Sequence, residues 1–282
     1  MSNGIDSRQK EQLSIKRLEA QRELYTKAKT YKNISFIFCV LIPCILSLFS
    51  LKEKYEILYL YVLISSILLV VFDLKQQKIV NKAANIQLEF DLYVFSMPWS
   101  DIFGKKGNLD EEIAKYSYKY RKAKRKQINA WYKEEYDNYE LEEGILKCQS
   151  ENLNWDSSLR TKYLFFQVIA SIFFVIIVIV KSILNKESVI NVIKLLIMLI
   201  APFNYFIKSI VKLYKDSKEC LHIKDLIYKK SNNFDLKYLQ IIQMFIQNHR
   251  KNNYLIPNWF YYLFAKKEEN QIDEMDELYG VK

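Results

Sequence analysis

Four stretches of this chain, Ile34 to Leu51, Ile57 to Phe72, Tyr163 to Val180 and Val189 to Ile207, run apolar for 16 to 19 residues with one charge, Lys194, among them. At about 1.5 Å per residue such helices reach roughly 24 to 28 Å, close to the ~30 Å hydrocarbon core of a bilayer once flanking tyrosines and lysines are counted. The stretches come in two tight pairs, so each pair reads as a hairpin that crosses a membrane and returns. Helices are the only realistic spanning structure for segments this long, because hydrocarbon offers no partner to a backbone amide. A buried core helix would explain any one stretch alone. It does not explain a two-pair pattern that repeats.

Composition supports this once the chain is divided. Half of the residues are hydrophobic, yet the mean hydropathy of -0.12 looks soluble, because about seventy residues carry almost no charge and the rest carry nearly all 42 Lys+Arg and 32 Asp+Glu. The net charge of +10 is placed unevenly. The two hairpin tips, Lys52 to Glu56 and Lys181 to Ser188, hold two lysines each, whereas residues 1–33 hold eight basic residues, 73–162 sixteen and 208–282 thirteen. The positive-inside rule then puts both termini and the long middle segment in the cytoplasm. The expected organisation is a cytoplasmic N-terminal amphipathic helix over 1–33, hairpin 1 over 34–72, a central cytoplasmic helical region over 73–162, hairpin 2 over 163–207, and C-terminal helices with a charged tail over 208–282. No cleavable signal is visible in the polar first 33 residues, so the first span reads as an internal anchor. Cys39 and Cys44 lie inside a span and Cys148 and Cys220 in reducing cytoplasm, so no disulfide framework is expected.

The remaining regions read as all-α. Five glycines and four prolines in 282 residues are too few for a strand-and-turn architecture. Residues 5–32 carry Leu13, Leu18, Ala20, Leu24, Ala28 and Tyr31 at three- and four-residue steps, an amphipathic helix entering the membrane. The pattern after Phe72 continues through Leu74, Ile79, Ala83, Ile86, Phe90 and Tyr93, so the second span should extend into the cytoplasm until Met97-Pro98 stops it. Gly104 to Gly107 reads as a turn, with Asn108 or Asp110 capping a helix expected from Asp110 to Tyr139 and helix again from Leu141 to Gln149. Further helices are expected from Lys208 to about Tyr228 and from Asp235 to about Lys251, with a break at Ser231 to Asn233, an interruption at Pro257 and a frayed tail from Lys266 to Glu277.

No catalytic set is apparent, so an enzyme is not expected, nor a cofactor, a metal or DNA binding. The chain has no glycine-rich phosphate loop, no Cys-x-x-Cys, no serine in a Gly-x-Ser-x-Gly setting, and only two histidines, His222 and His249, 27 residues apart. The spans carry more specific hints. Lys194 sits five residues past Val189, where an intramembrane charge marks a pathway or partner, or else snorkels to the outer interface. Asn191, Lys194, Met198, Ala201 and Tyr205 share one helical face, which lines a water-filled path between subunits or packs helices closely. Pro43 and Pro202 each remove an amide donor inside a span, so a kink is expected at both, suited to gating. Trp155, Asp156 and Arg160 stand just before the third span, an interface or hinge zone in which Arg160 can pair with Asp156 one turn away. Lys119, Arg121, Lys122, Lys124, Arg125 and Lys126 form a basic run with interleaved tyrosines, followed by Trp131 and Tyr132. Cations beside aromatic faces suit a phosphorylated nucleotide, and equally a helix on anionic lipid or a solvated face.

Several local sequences resemble one family. Arg22-Glu23-Leu24-Tyr25 with Lys27-Ala28-Lys29, Met97-Pro98-Trp99 after the first hairpin, Cys148-Gln149-Ser150-Glu151-Asn152-Leu153-Asn154-Trp155-Asp156 with Leu159-Arg160 before the second, and Ile256-Pro257-Asn258-Trp259-Phe260-Tyr261 are similar to the SMODS-associated four-transmembrane effectors. The resemblance covers nearly the whole chain. It implies an oligomeric pore-forming effector of bacterial cyclic-oligonucleotide antiphage defence, in which a nucleotidyltransferase encoded nearby senses infection and makes a cyclic nucleotide. The effector then damages the inner membrane, and the infection aborts. The family supplies no catalytic residues to carry over. The residues alone leave two other readings open, a non-conducting membrane receptor or scaffold and a small-solute channel or transporter.

Overall fold

The computed structural model describes residues 2–48, 55–123, 128–229 and 235–264; among these it contains helices, turns and connecting segments and no strand. In chain order the helices are α1 (Ile5–Lys10), α2 (Gln12–Phe36), α3 (Ile42–Leu48), α4 (Tyr55–Val94), α5 (Asp110–Lys122), α6 (Leu141–Leu184), α7 (Val189–Met198), α8 (Ile200–Lys229) and α9 (Leu236–Asn252). Among the described residues three helices are long and apolar enough to cross a membrane, and a fourth span follows if the bent pair of α7 and α8 is one crossing. The protein is an all-α integral membrane protein.

Both span prolines disturb their helices on the N-terminal side. Pro43 cannot donate to the carbonyl four residues back, that of Cys39, and its ring crowds that carbonyl. The chain answers with a wider π-turn over Ile37–Leu41, in which the Ile42 N–H reaches the Ile37 carbonyl. Ahead of Pro202, α7 stops at Met198, the Leu199 N–H is shared between the Leu195 and Leu196 carbonyls, and α8 departs at 52°.

Helix ends follow local chemistry. At the end of α4, Ser96 takes a left-handed conformation (φ 53°), with Met97 N–H on the Leu92 carbonyl and Ser96 N–H on the Tyr93 carbonyl, a Schellman closure directly before Pro98. The same pattern closes α6 at the second hairpin tip, with Lys186 left-handed (φ 47°) and Glu187 N–H on the Ser182 carbonyl. Ser188 then accepts from the Asn191 N–H and starts α7, as Asp235 accepts from the Tyr238 N–H to start α9.

Three expectations change. The helix anticipated over residues 5–32 is interrupted at Glu11, whose extended backbone (ψ 147°) separates α1 from α2. The helix anticipated from Asp110 to Tyr139 ends at Lys122. The fully buried Gln9 explains this: its Oε1 accepts from both Trp131 N–H and Tyr132 N–H (2.8 Å each), and its Nε2 donates to the Tyr132 carbonyl (3.0 Å). Those backbone groups are thus satisfied without a helix, and Ile128, Tyr132 and Tyr136 enter the core. The helix anticipated from Leu141 is not separate from the third span, because α6 runs 44 residues without a break. The break at Ser231 to Asn233, the tail from Lys266 and the first hairpin tip up to Lys54 lie outside the described residues.

The chain divides into two compact units. Unit 1 comprises residues 1–28, 77–158 and 216–253, and unit 2 comprises residues 29–76, 159–215 and 254–282; helices α2, α4, α6 and α8 contribute residues to both. Unit 1 has a water-type core: Ile5, Leu18, Phe90, Phe95, Tyr132, Ile145 and Leu239 pack together, while Ala20 and Ala83 let α2 approach α4 beside Leu24, Ile86 and Ile113. Unit 2 holds the spans and is built the other way round. Leu63, Ile67, Phe173 and Ile176 are more than half exposed, faces that fit lipid and that water would penalise by about 25 cal/mol per Å². Inside it, Tyr163, Leu213, Tyr254, Ile256 and Phe260 form an aromatic-rich core.

Candidate functional site

The buried chemistry of unit 1 centres on Asp91. Ala84, Leu88 and Asp91 on α4, with Phe95 just past its end, follow four- and three-residue steps on one buried face, so Asp91 stands where an apolar side chain would be expected. Its carboxylate accepts from the Arg250 guanidinium of α9, from the Gln243 Nε2 (2.7 Å) and from the Tyr132 hydroxyl (2.7 Å). Asn152 Nδ2 donates to the Tyr132 oxygen (3.2 Å), and the Trp131 indole N–H to Asn152 Oδ1 (3.2 Å). Gln149 Nε2 donates to Gln243 Oε1 (3.0 Å) and to the Leu239 carbonyl (3.1 Å), closing the network. Burial works against the Arg250 charge, but the Asp91 carboxylate and Tyr132 outweigh it, and the guanidinium titrates above its ordinary value. Burial first, then the Asp91 charge, push the Tyr132 phenol well above its usual range, so it remains a donor.

One residue before Arg250, His249 belongs to a second cluster. Its Nε2 lies 2.7 Å from Asp156 Oδ2 on α6 and 3.3 Å from Cys220 Sγ on α8, while its Nδ1 lies 3.1 Å from Glu219 Oε2. Burial alone would lower the imidazole, but hydrogen bonds to Asp156, Cys220 and Glu219 prevail and raise it to about 11. Neither cluster stands out in the sequence, where Asp91, His249 and Arg250 read as parts of ordinary helix faces. For Asp91 the signal was partial: Leu88, Val94 and Phe95 lie one turn away, but so does Gln87.

The residues singled out from sequence are distributed as follows. Lys119 and Lys122 are exposed on α5 together with Lys115, one turn apart, and Arg121 pairs with the buried Glu19 (3.4 Å). Lys124, Arg125 and Lys126 lie outside the described residues. Trp131 is half-buried and Tyr132 is 3% exposed, its ring packed against Phe90 and Phe95, so Tyr132 offers no open stacking face. In unit 2, Asn191 Nδ2 donates to Glu187 Oε2 (2.9 Å) at the hairpin tip, Lys194 is half-buried, and Ala201, Pro202 and Tyr205 are buried. Tyr205 meets the Tyr254 hydroxyl (3.4 Å), and Met198 is the last residue of α7. Pro43 is buried in α3. Asp156 joins the His249 cluster, Trp155 beside it is half-buried, and Arg160 is buried and donates to the Tyr254 carbonyl (2.9 Å).

The family model for the SMODS-associating 4TM effector domain matches residues 3–277. The chain belongs to the SMODS-associating 4TM effector family. It is also 22% identical over 290 residues to a probable CBASS effector molecule of Bacillus cereus (strain VD146), covering 95% of this chain and 96% of that protein. No solved structure matches. The family is one of membrane effectors, not a known enzyme family.

Within a SMODS-associating 4TM effector, the local sequences quoted above acquire physical roles in this chain. The segment from Cys148 to Asp156 supplies Gln149 and Asn152 to the Asp91 network and Asp156 to the His249 cluster. Met97 and Pro98 follow the Schellman closure of α4, and the Trp99 indole donates to the Gly104 carbonyl (2.8 Å). Ile256 and Phe260 complete the aromatic core of unit 2, where Trp259 packs edge-on to Phe166.

Proposed function

We propose that this protein is an effector of bacterial antiphage defence that, on meeting a cyclic oligonucleotide made by a partner nucleotidyltransferase, assembles as a homo-oligomer and permeabilises the inner membrane. The observation that carries this reading is the family match over residues 3–277, which takes in both the spans and the helical unit with its polar core. The relative described as a probable CBASS effector supports it along nearly its whole length. The charge distribution supports cytoplasmic termini, with unit 1 facing the cytoplasmic signal.

Lys115, Lys119 and Lys122, exposed on α5, are the proposed first contacts for the phosphates of the messenger, extended by Lys124, Arg125 and Lys126. Arg121, whose Nε pairs with Glu19, is half exposed and can add to them. In the spans, the face from Asn191 to Tyr205 is the proposed lining, and the breaks at Pro43 and Pro202 are the proposed points of bending. A ligand shifts such an equilibrium only through its differential affinity for the two states. Cells expressing the protein with an active nucleotidyltransferase should take up propidium, and cells carrying a catalytically dead nucleotidyltransferase should not. Equal uptake in both would refute the link to the messenger.

A further inference from the structure

We propose that Asp156, Cys220 and His249 hold one zinc-like divalent transition-metal ion that ties α6, α8 and α9 together inside unit 1. Three side chains far apart in sequence present one ligand atom each, a carboxylate oxygen, a thiol sulfur and an imidazole nitrogen, within 4.8 Å of one another. A tetrahedral zinc with bonds of about 2.0 Å to nitrogen, 2.1 Å to oxygen and 2.3 Å to sulfur requires N···S, O···S and N···O separations of about 3.5, 3.6 and 3.4 Å. The observed N···S and O···S separations are 3.3 and 3.6 Å. The N···S separation must open by about 0.2 Å, and the N···O separation, 2.7 Å, by about 0.7 Å to reach the tetrahedral values. Asp156 is the ligand with room to do so, because its side chain is 29% exposed while that of His249 is 3% exposed.

The surroundings match such a site in three further ways. Glu219 sits 3.1 Å from His249 Nδ1, the carboxylate–histidine arrangement that keeps the proton on Nδ1 and turns the Nε2 lone pair toward the ion. A thiolate and a carboxylate together neutralise a divalent ion in a buried place. The partly exposed Asp156 and Glu219 provide an entry path and a side from which water can complete the coordination. A thiol nucleophile is disfavoured because Cys220 is fully buried. The thiolate and imidazole select a borderline transition ion over magnesium or calcium.

The test is metal analysis of the full-length protein purified in detergent without chelator. The expected content is about one zinc per chain, falling to about one-tenth or less in Cys220→Ser and Asp156→Asn and staying near one in Cys148→Ser, whose thiol is buried elsewhere. Wild-type protein stripped with chelator and given cobalt(II) should show the visible bands of a tetrahedral ion together with a thiolate charge-transfer band, the latter absent in Cys220→Ser. Because the spectrum is read first on the wild-type chain, a variant that fails to fold leaves the proposal open to refutation. Wild-type protein that neither contains zinc nor takes up cobalt, an octahedral cobalt spectrum, or undiminished zinc in Cys220→Ser would each overturn it.

Discussion

Replacing Arg250 with methionine should destabilise unit 1 severely, and adding Asp91→Asn should restore much of the loss. Arg250 and Asp91 have side chains 10% and 1% exposed, and in Arg250→Met the Asp91 carboxylate keeps only the neutral donors Gln243 and Tyr132. Removing one partner of a buried pair costs about 3–5 kcal/mol, since the remaining charge stays desolvated. For a unit of about 150 residues each kcal/mol lowers Tm by about 2–4 °C, so Arg250→Met should melt roughly 6–20 °C below the wild type. In the double variant neither charge of the pair remains, and the substituted amide keeps an acceptor oxygen for Gln243 or Tyr132. The remaining loss is then one hydrogen bond and imperfect packing, about 1–2 kcal/mol. Thermal unfolding in detergent, followed by tryptophan fluorescence with Trp131 reporting from the network, measures all three proteins. Equal melting temperatures for the single and double variants, or an Arg250→Met protein within about 2 °C of wild type by the same scale, would refute the assignment of Asp91 as a buried paired charge.

Gln9→Ala should loosen the segment around Trp131 and Tyr132, at a cost of about 1–3 kcal/mol for groups left unsatisfied, read as faster amide exchange there. Gly144→Ala should destabilise despite a helix-propensity gain of about 1 kcal/mol, because its Cβ would stand 2.5 Å from Asn3 Nδ2 and 2.8 Å from the Tyr136 carbonyl; increased proteolysis of the first residues checks this. Ser96→Val should cost about 1–2 kcal/mol, since a β-branched residue resists the left-handed turn that closes α4, whereas Ser96→Gly should cost nothing measurable in the same melting assay.

The spans and the end of α4 before Pro98 were legible because their causes are local. An apolar run or a proline acts within a turn or two: a kink was expected at both Pro43 and Pro202, and the helix is disturbed ahead of each, as a π-turn before Pro43 and a 52° bend before Pro202. What escaped the sequence depends on distant partners. Gln9 ends the helix anticipated beyond Lys122 by taking the backbone groups of Trp131 and Tyr132, 122 and 123 positions away. Likewise Tyr132, read beside the basic run as a surface ring, serves as a donor to Asp91 in the core. The two clusters could not be assembled from the sequence because Asp91, Asp156, Cys220, His249 and Arg250 lie on four helices, and no spacing rule joins residues that only tertiary packing brings together.

Whether a nucleotide messenger opens the membrane is decided by dye release from liposomes that contain the purified protein, titrated with a panel of cyclic oligonucleotides. No leakage is expected without ligand, and leakage is expected with at least one member of the panel. Charge reversal at Lys115, Lys119 and Lys122 should shift the half-effective concentration about tenfold or more, as the loss of three phosphate contacts implies. Leakage that needs no ligand, or none with any member of the panel, would contradict a messenger-gated effector.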